Sequence, residues 1–289
     1  MKKTYAFAGV MILAAVLLIL PVGAKAEMYV EAYLGGVFAS SSGHEFTDTT
    51  ANTFGIAGLN GTYRHSVPGT FNNPFFMGGL KIGTWFVKEG FLGFNYPDWM
   101  KYLGFYLDFN YHRLDFRKQQ GTTSISHTLG ALGPSVGTTS NEFDSEGTAA
   151  TLAFMFAARY GFLPDSEVPF GRLQPYIGVG PAILFSSQQP TLIMRPYTTA
   201  GGGLGVASFL NQSAVPGSAS SVNICLAVEA GLRYMALKNV SLDVSFKYRY
   251  SQPSYSYSFT DPLDGARKSF TFSPTYNLFS GQVGAAYHF

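Results

Sequence analysis

The end of the chain alternates residue by residue. From Phe279 to Phe289 one face carries Phe279, Gly281, Val283, Ala285, Tyr287 and Phe289, and the other carries Ser280, Gln282, Gly284, Ala286 and His288. Period-2 alternation marks a β-strand with one apolar and one polar face. Residues 240–250 show it more sharply. Val240, Leu242, Val244, Phe246, Tyr248 and Tyr250 share one side, against Ser241, Asp243, Ser245, Lys247 and Arg249 on the other. A one-residue slip would turn all three charges to the apolar side, so the register is strongly set.

Six more segments follow the same rule. The first strand, about Met28–Ala39, sets Val30, Ala32, Leu34 and Phe38 against Glu31, Tyr33 and Gly35. The second, Phe75–Val87, sets Leu80, Ile82 and Phe86 against Gly79, Lys81, Gly83 and Trp85. The third, Tyr102–Phe116, places Tyr106, Asp108, Asn110 and His112 opposite Leu103, Phe105, Leu107, Phe109 and Tyr111. The fourth, Thr148–Tyr160, turns Arg159 inward, opposite Leu152, Phe154, Phe156, Ala158 and Tyr160. In the fifth, Pro175–Ser186, Pro181 removes a ladder donor, and a bulge or kink is expected there. The sixth, about Asn223–Tyr234, carries Cys225, Glu229 and Arg233 inward and joins the seventh at a tight turn around Lys238-Asn239.

The connections alternate in length. Ser40–Pro74, Arg117–Gly147, Ser187–Ser221 and Gln252–Thr275 are long and rich in Gly, Ser, Thr, Asn and Pro, whereas Lys88–Lys101, Gly161–Gln174 and Lys238-Asn239 are shorter. Long connections on one side and short turns on the other, with an even strand number, suit a membrane barrel whose long loops face outside the cell. The expected fold is all-β, an eight-stranded antiparallel up-and-down transmembrane β-barrel.

Residues 1–26 read as a secretory signal peptide: Lys2 and Lys3, an uncharged apolar run from Ala6 to Leu20, Pro21, then Ala24-Lys25-Ala26 as the cleavage site. The expected mature chain is 27–289, a single outer-membrane β-barrel domain. The leader contains three of the 19 basic residues, leaving 16 against 17 acidic ones. Near neutrality gives no reason to expect a nucleic-acid partner. Only 12% of residues are charged while 16% are aromatic, well short of the roughly 25% charged of soluble domains. After the leader no stretch of about 20 apolar residues remains, so a closed barrel is the solution that pairs every backbone group in lipid. Cys225 is the single cysteine, which excludes an intramolecular disulfide and a thiolate metal site.

Pro175-Tyr-Ile-Gly-Val-Gly180, Gly231-Leu-Arg-Tyr234, Val240–Tyr250 and the terminal Tyr287-His-Phe289 resemble the small eight-stranded outer-membrane barrels: the OmpA transmembrane domain, OmpX and the opacity proteins. The resemblance spans the expected mature chain, without the peptidoglycan-binding domain of full OmpA proteins. It implies a Gram-negative cell outer membrane as location, with outer-membrane lipid and lipopolysaccharide as surroundings. It implies barrel-assembly machinery and periplasmic chaperones as partners in biogenesis, with Tyr287 and Phe289 as the assembly signal.

An eight-stranded barrel is just wide enough for its inward side chains to fill it. That set contains Glu31, Asp108, Glu229 and Asp243 against Lys81, Arg159, Arg233, Lys247 and Arg249, with His112 nearby. Buried charge is costly unless paired, so a lumen charge network is expected. The leading functional reading is a structural or surface-interaction barrel that meets an extracellular ligand through four long loops. A narrow porin-like channel, gated by exchange of carboxylate partners, is the alternative; a lipid A-modifying enzyme is the third reading. His44 near Ser40–Ser42 and Glu45, and His127 after Ser126, are the Ser/His neighbours an enzyme would need, but Ser and Thr are abundant in these loops. Glu142-Phe-Asp144 and Asp261-Pro-Leu-Asp264 offer too few oxygens for a calcium site. Gly201-Gly-Gly203 has no phosphate-loop context. No catalytic residue, metal or cofactor is expected.

Overall fold

The computed structural model describes residues 27–51, 53, 56–87, 96–201, 207–209, 212–214, 216–260 and 267–289. The proposed leader and the acidic pair at 261 and 264 lie outside them. Sixteen strand segments occur in the described chain: β1 (Glu27–Ser40), β2 (His44–Thr50), β3 (Leu59–Val67), β4 (Phe75–Trp85), β5 (Leu103–Arg113), β6 (Phe116–Leu129), β7 (Ser135–Arg159), β8 (Leu173–Met194), β9 (Tyr197–Thr199), β10 (Ala207–Phe209), β11 (Gln212–Ala214), β12 (Ala219–Leu237), β13 (Val240–Ser251), β14 (Tyr255–Thr260), β15 (Arg267–Phe272) and β16 (Tyr276–His288). A short 3-10 turn covers Asp98–Tyr102.

Eight of these close a barrel in the order β1-β4-β5-β7-β8-β12-β13-β16, and β16 returns to β1. All pairings are antiparallel, and closure runs from Tyr29↔His288 to Ser40↔Asn277. Closure leaves no unpaired edge at membrane depth, the condition lipid imposes on a backbone. Leu34, Phe76, Phe156, Ile177, Ile224, Phe246 and Val283 face outward and are exposed, while Glu31, Lys81, Arg159, Glu229, Arg233, Asp243, Lys247 and Arg249 of the same strands are buried inside. The alternation read from the sequence therefore gives the correct face in every barrel strand.

Two expectations need correction. No bulge forms at Pro181. Leu226↔Pro181 pairs in register on one side. On the other, the ladder to β7 lapses between Ala153↔Ala182 and Phe156↔Val179 and resumes unshifted. The missing proline N–H is tolerated as a local gap. The strands flanking it keep their alignment because a shift would invert the whole wall.

The four long connections are also more than irregular polar loops. β7 and β8 run far past their expected ends, and β6, β3 and β2 continue the sheet beyond β7. β14 and β15 form a separate two-stranded hairpin that lies alongside β2 without joining its ladder. Together they build a β-structured extension above the barrel. Its interior is aromatic: Phe46, Phe71, Phe116, Phe143, Tyr255, Tyr257, Phe270, Phe272 and Tyr276 are buried in one cluster.

Candidate functional site

The lumen is filled in three layers. At the short-connection end, Arg159 of β7 donates from Nη1 to Glu27 Oε1 (2.6 Å) and from Nη2 to Oε2 (2.5 Å). Its guanidinium lies 4.2 Å from the ring centroids of both Trp85 and Phe170. Arg233 covers Tyr29 at 4.2 Å. Planar guanidinium groups stack on rings in this way and close the floor.

The middle layer is ionic. Lys81 Nζ of β4 lies 2.9 Å from Glu31 Oε1, 2.7 Å from Glu229 Oε1 and 3.7 Å from Asp243 Oδ1. Arg233 Nη2 donates to Glu31 Oε2 at 2.6 Å, and its Nε lies 3.5 Å from Asp243 Oδ2. Lys247 pairs closely with Asp108 and lies 3.6 Å from Glu229 Oε2. Three tyrosines complete the layer as donors: Tyr33 to Asp108 (2.5 Å), Tyr106 to Glu229 (2.8 Å) and Tyr176 to Asp243 (2.9 Å) or Glu229 (3.0 Å). Small inward residues make room for these rings. A Cβ at Gly79 would collide with Tyr33, and one at Gly231 with Tyr176.

Arg249 stands one step above and has no carboxylate partner among the described residues. Its Nη1 donates to Asn110 Oδ1 (2.5 Å) and Thr151 Oγ1 (2.9 Å), and its Nη2 to Met77 Sδ (3.7 Å). His112, expected beside the network, hydrogen-bonds the Arg113 carbonyl oxygen instead, at 2.7 Å.

The top layer is the aromatic cluster of the extension. Phe71 stacks on Phe116 at 4.2 Å, Phe46 on Phe270 at 5.1 Å, and Tyr257 on Phe270 at 4.9 Å. His44 meets Phe272 edge-on at 5.2 Å, with Nε2 2.6 Å from Ser41 Oγ. Burial pushes its pKa down to about 4. His127 is shifted down for the same reason.

The residues named from sequence thus divide. Glu31, Lys81, Asp108, Glu229, Arg233, Asp243 and Lys247 meet in one layer. Arg159 belongs to the floor, and Arg249 stands apart. Sequence reasoning missed Glu27, the acid that Arg159 takes, because it sits at the very start of the expected mature chain. It placed Tyr33 and Tyr106 inward without assigning their hydroxyls a role. Tyr287 and Phe289 face outward, their rings 5.2 Å apart. The Phe289 N–H donates to the Met28 carbonyl oxygen at 2.9 Å, so the last residue ties to the first strand.

One polar chain in the extension was not anticipated. Asp48 Oδ2 lies 3.9 Å from His65 Nε2, His65 Nδ1 lies 2.9 Å from Thr123 Oγ1, and Asn141 Nδ2 donates to that oxygen at 2.9 Å. All four residues are buried, so no substrate reaches the hydroxyl in this conformation. The chain secures β2 and β3 to β6 and β7. No group of three or more potential metal ligands occurs among the described residues.

No family model and no curated protein matches the chain. Solved structures do. It is similar to a major outer membrane protein from Thermus thermophilus, with 15% identity over 92% of this chain and 100% of that one and a TM-score of 0.43. It is similar to the outer membrane protein OprG from Pseudomonas aeruginosa, with 13% identity over 92% and 98% and a TM-score of 0.36. It is also similar to the outer membrane protease OmpT from Escherichia coli, with 9% identity over 93% and 99% and a TM-score of 0.28. Identities and scores this low leave the assignment to the chain's own ladder and apolar belt, and by these it is an eight-stranded barrel of the outer-membrane type.

Proposed function

We propose that this protein is a non-conducting outer-membrane barrel that presents a rigid β-structured surface outside the cell and acts through it as a structural or interaction element. The observation that supports this reading is the filled interior. The stacked floor, the ionic middle and the aromatic top leave the axis packed with buried side chains. Conduction requires sites that an ion can both enter and leave. A lysine shared by three carboxylates beneath a ring cluster offers neither. The stiffness of the extension comes from its ladders, which continue those of β7 and β8. Lipid and lipopolysaccharide surround the belt, and assembly factors meet the Phe289 end during insertion.

The test pairs two measurements. Planar-bilayer recordings should show no reproducible conductance steps; steps that change in Glu229→Ala would instead establish a channel. Cells carrying the full chain should adhere to or aggregate on a surface more than cells whose β2–β3 and β14–β15 hairpins are replaced by short turns. Equal behaviour would remove the surface role. Mass spectrometry of lipid A should show the same acylation with and without the protein, and a change would make it an enzyme.

A further inference from the structure

A groove of about 530 Å³ crosses the outer wall where β8, β12 and β13 meet. Pro181, Leu226 and Tyr250 form one row across it, since Leu226 pairs with Pro181 on one side and with Tyr250 on the other. The groove follows from sequence. Pro181 fills less space than the Ile and Phe elsewhere on the outer face of β8. Beside it Gly180 passes so close to β7 that a Cβ would collide with the Phe154 carbonyl oxygen. The apolar lining is Pro181, Leu226 and Ile224, all exposed on the outer face, while the upper rim is polar and uncharged. At the rim Gln252 Nε2 donates to Tyr250 Oη (2.8 Å), and Asn223 Nδ2 donates to the Gln252 carbonyl oxygen (2.7 Å).

Height and surroundings identify the occupant. Leu226 lies eight residues above Tyr234 along β12, about 20 Å for a strand tilted roughly 40°. The apolar band of such a barrel is about 25 Å tall, so the groove sits near its outer edge. It opens on the lipid-facing side of the wall, where the medium is the outer leaflet. We infer that it is a binding site for an outer-leaflet lipid: an acyl chain lies against Pro181, Leu226 and Ile224, and the head meets Tyr250 and Gln252. Among the described residues no Lys or Arg lines it, so the head is recognised through hydroxyl or amide groups and not through phosphate. A lipid tail gains no hydrophobic energy by leaving other tails. Preference for this groove therefore comes from packing and from about one hydrogen bond, which is worth roughly fivefold in occupancy.

The inference rests on the outer-membrane reading of the barrel, and the experiment keeps the two apart. A photo-cross-linking residue is placed at Ile224, or at the equally exposed Phe76 on the far wall. Cells are irradiated, and adducts are identified by mass spectrometry after outer-membrane fractionation and a heat-shift gel. The fractionation and gel establish the barrel whatever the adducts show. The expected result is a discrete lipid adduct at Ile224, about fivefold above Phe76, which falls to the Phe76 level when Leu226→Trp fills the groove. Equal yields at both positions would overturn the site, as would a yield unchanged by Leu226→Trp. A cross-linked dimer of this chain as the main product would also overturn it, assigning the groove to a second copy.

Discussion

Lys81 touches three of the four carboxylates of the middle layer, at 2.9, 2.7 and 3.7 Å, and its removal tests the network most directly. Glu31, Asp108, Glu229 and Asp243 there face Lys81, Arg233 and Lys247, a surplus of one negative charge. Lys81→Met keeps the apolar stem and deletes the ammonium, which raises the surplus to two in a site closed to water. Breaking a buried pair in this way costs about 3–5 kcal/mol. The double substitution Lys81→Met/Glu229→Gln returns the surplus to one and keeps an acceptor for Tyr106. It should regain about 1–3 kcal/mol of the loss, the coupling expected between groups in one network. The assay is equilibrium urea unfolding in lipid vesicles of a Trp99→Phe background, followed by the fluorescence of Trp85, whose ring lies 4.2 Å from the Arg159 guanidinium. A Lys81→Met barrel within about 0.5 kcal/mol of wild type would refute the reasoning. So would a double variant no more stable than the single one. Neither variant should conduct in planar bilayers, because the aromatic layer above is untouched.

Phe246→Lys puts a charge on the lipid face near mid-strand and should cost about 2–4 kcal/mol in the same unfolding assay, whereas an unchanged midpoint would contradict the outward facing of the even-numbered residues of β13. The extension should loosen in acid. The His44 pKa is lowered to about 4 from 6.5 by burial, so the open form binds the proton more readily. Its contribution is complete above about pH 6.5 and falls as pH drops toward 4, by roughly 2 kcal/mol after allowance for screening. Amide exchange in β14 and β15 across that range measures it, and His44→Phe should flatten the profile; superimposed profiles would exclude His44 as the group responsible. Phe289→Ser should lower the amount of barrel in the outer membrane while leaving the exported pool in the periplasm. Normal membrane levels would remove the assembly role of the last residue.

The barrel was legible because lipid imposes a strict rule on it. With one face in hydrocarbon and the other in a narrow polar lumen, Lys247 and Arg249 must share parity with Asp243, and they do. Membership in the ionic layer was less legible. Parity tells which side of the wall a residue faces but not its height along the axis. Arg159 and Arg249 share the inward parity of Lys81 and Lys247 yet end at the floor and above the layer. Height follows from the stagger of adjacent strands, which the ladder fixes and a single strand's sequence does not carry.

The extension was misread for a different reason, and the reason is physical. Inward parity continues unbroken from the membrane upward: on β8 Tyr176, Ala182 and Leu184 give way to Gln188, Leu192 and Met194, all buried. What changes is the outward set, from Ile177, Val179, Ile183 and Phe185 to Ser187, Gln189 and Thr191. Above the bilayer the outer face meets water, so Ser and Thr go outside and the aromatic residues turn in. Tyr255-Ser-Tyr-Ser-Phe259 and His44-Glu-Phe-Thr-Asp-Thr-Thr50 keep the same period with reversed polarity. Judged by composition, these stretches look like polar loops. Judged by period, they are strands whose solvent has changed, and the change explains the function proposed here. The chain spends its apolar residues on lipid below and on its own interior above, so among the described residues the outer face of the extension is polar and its interior aromatic.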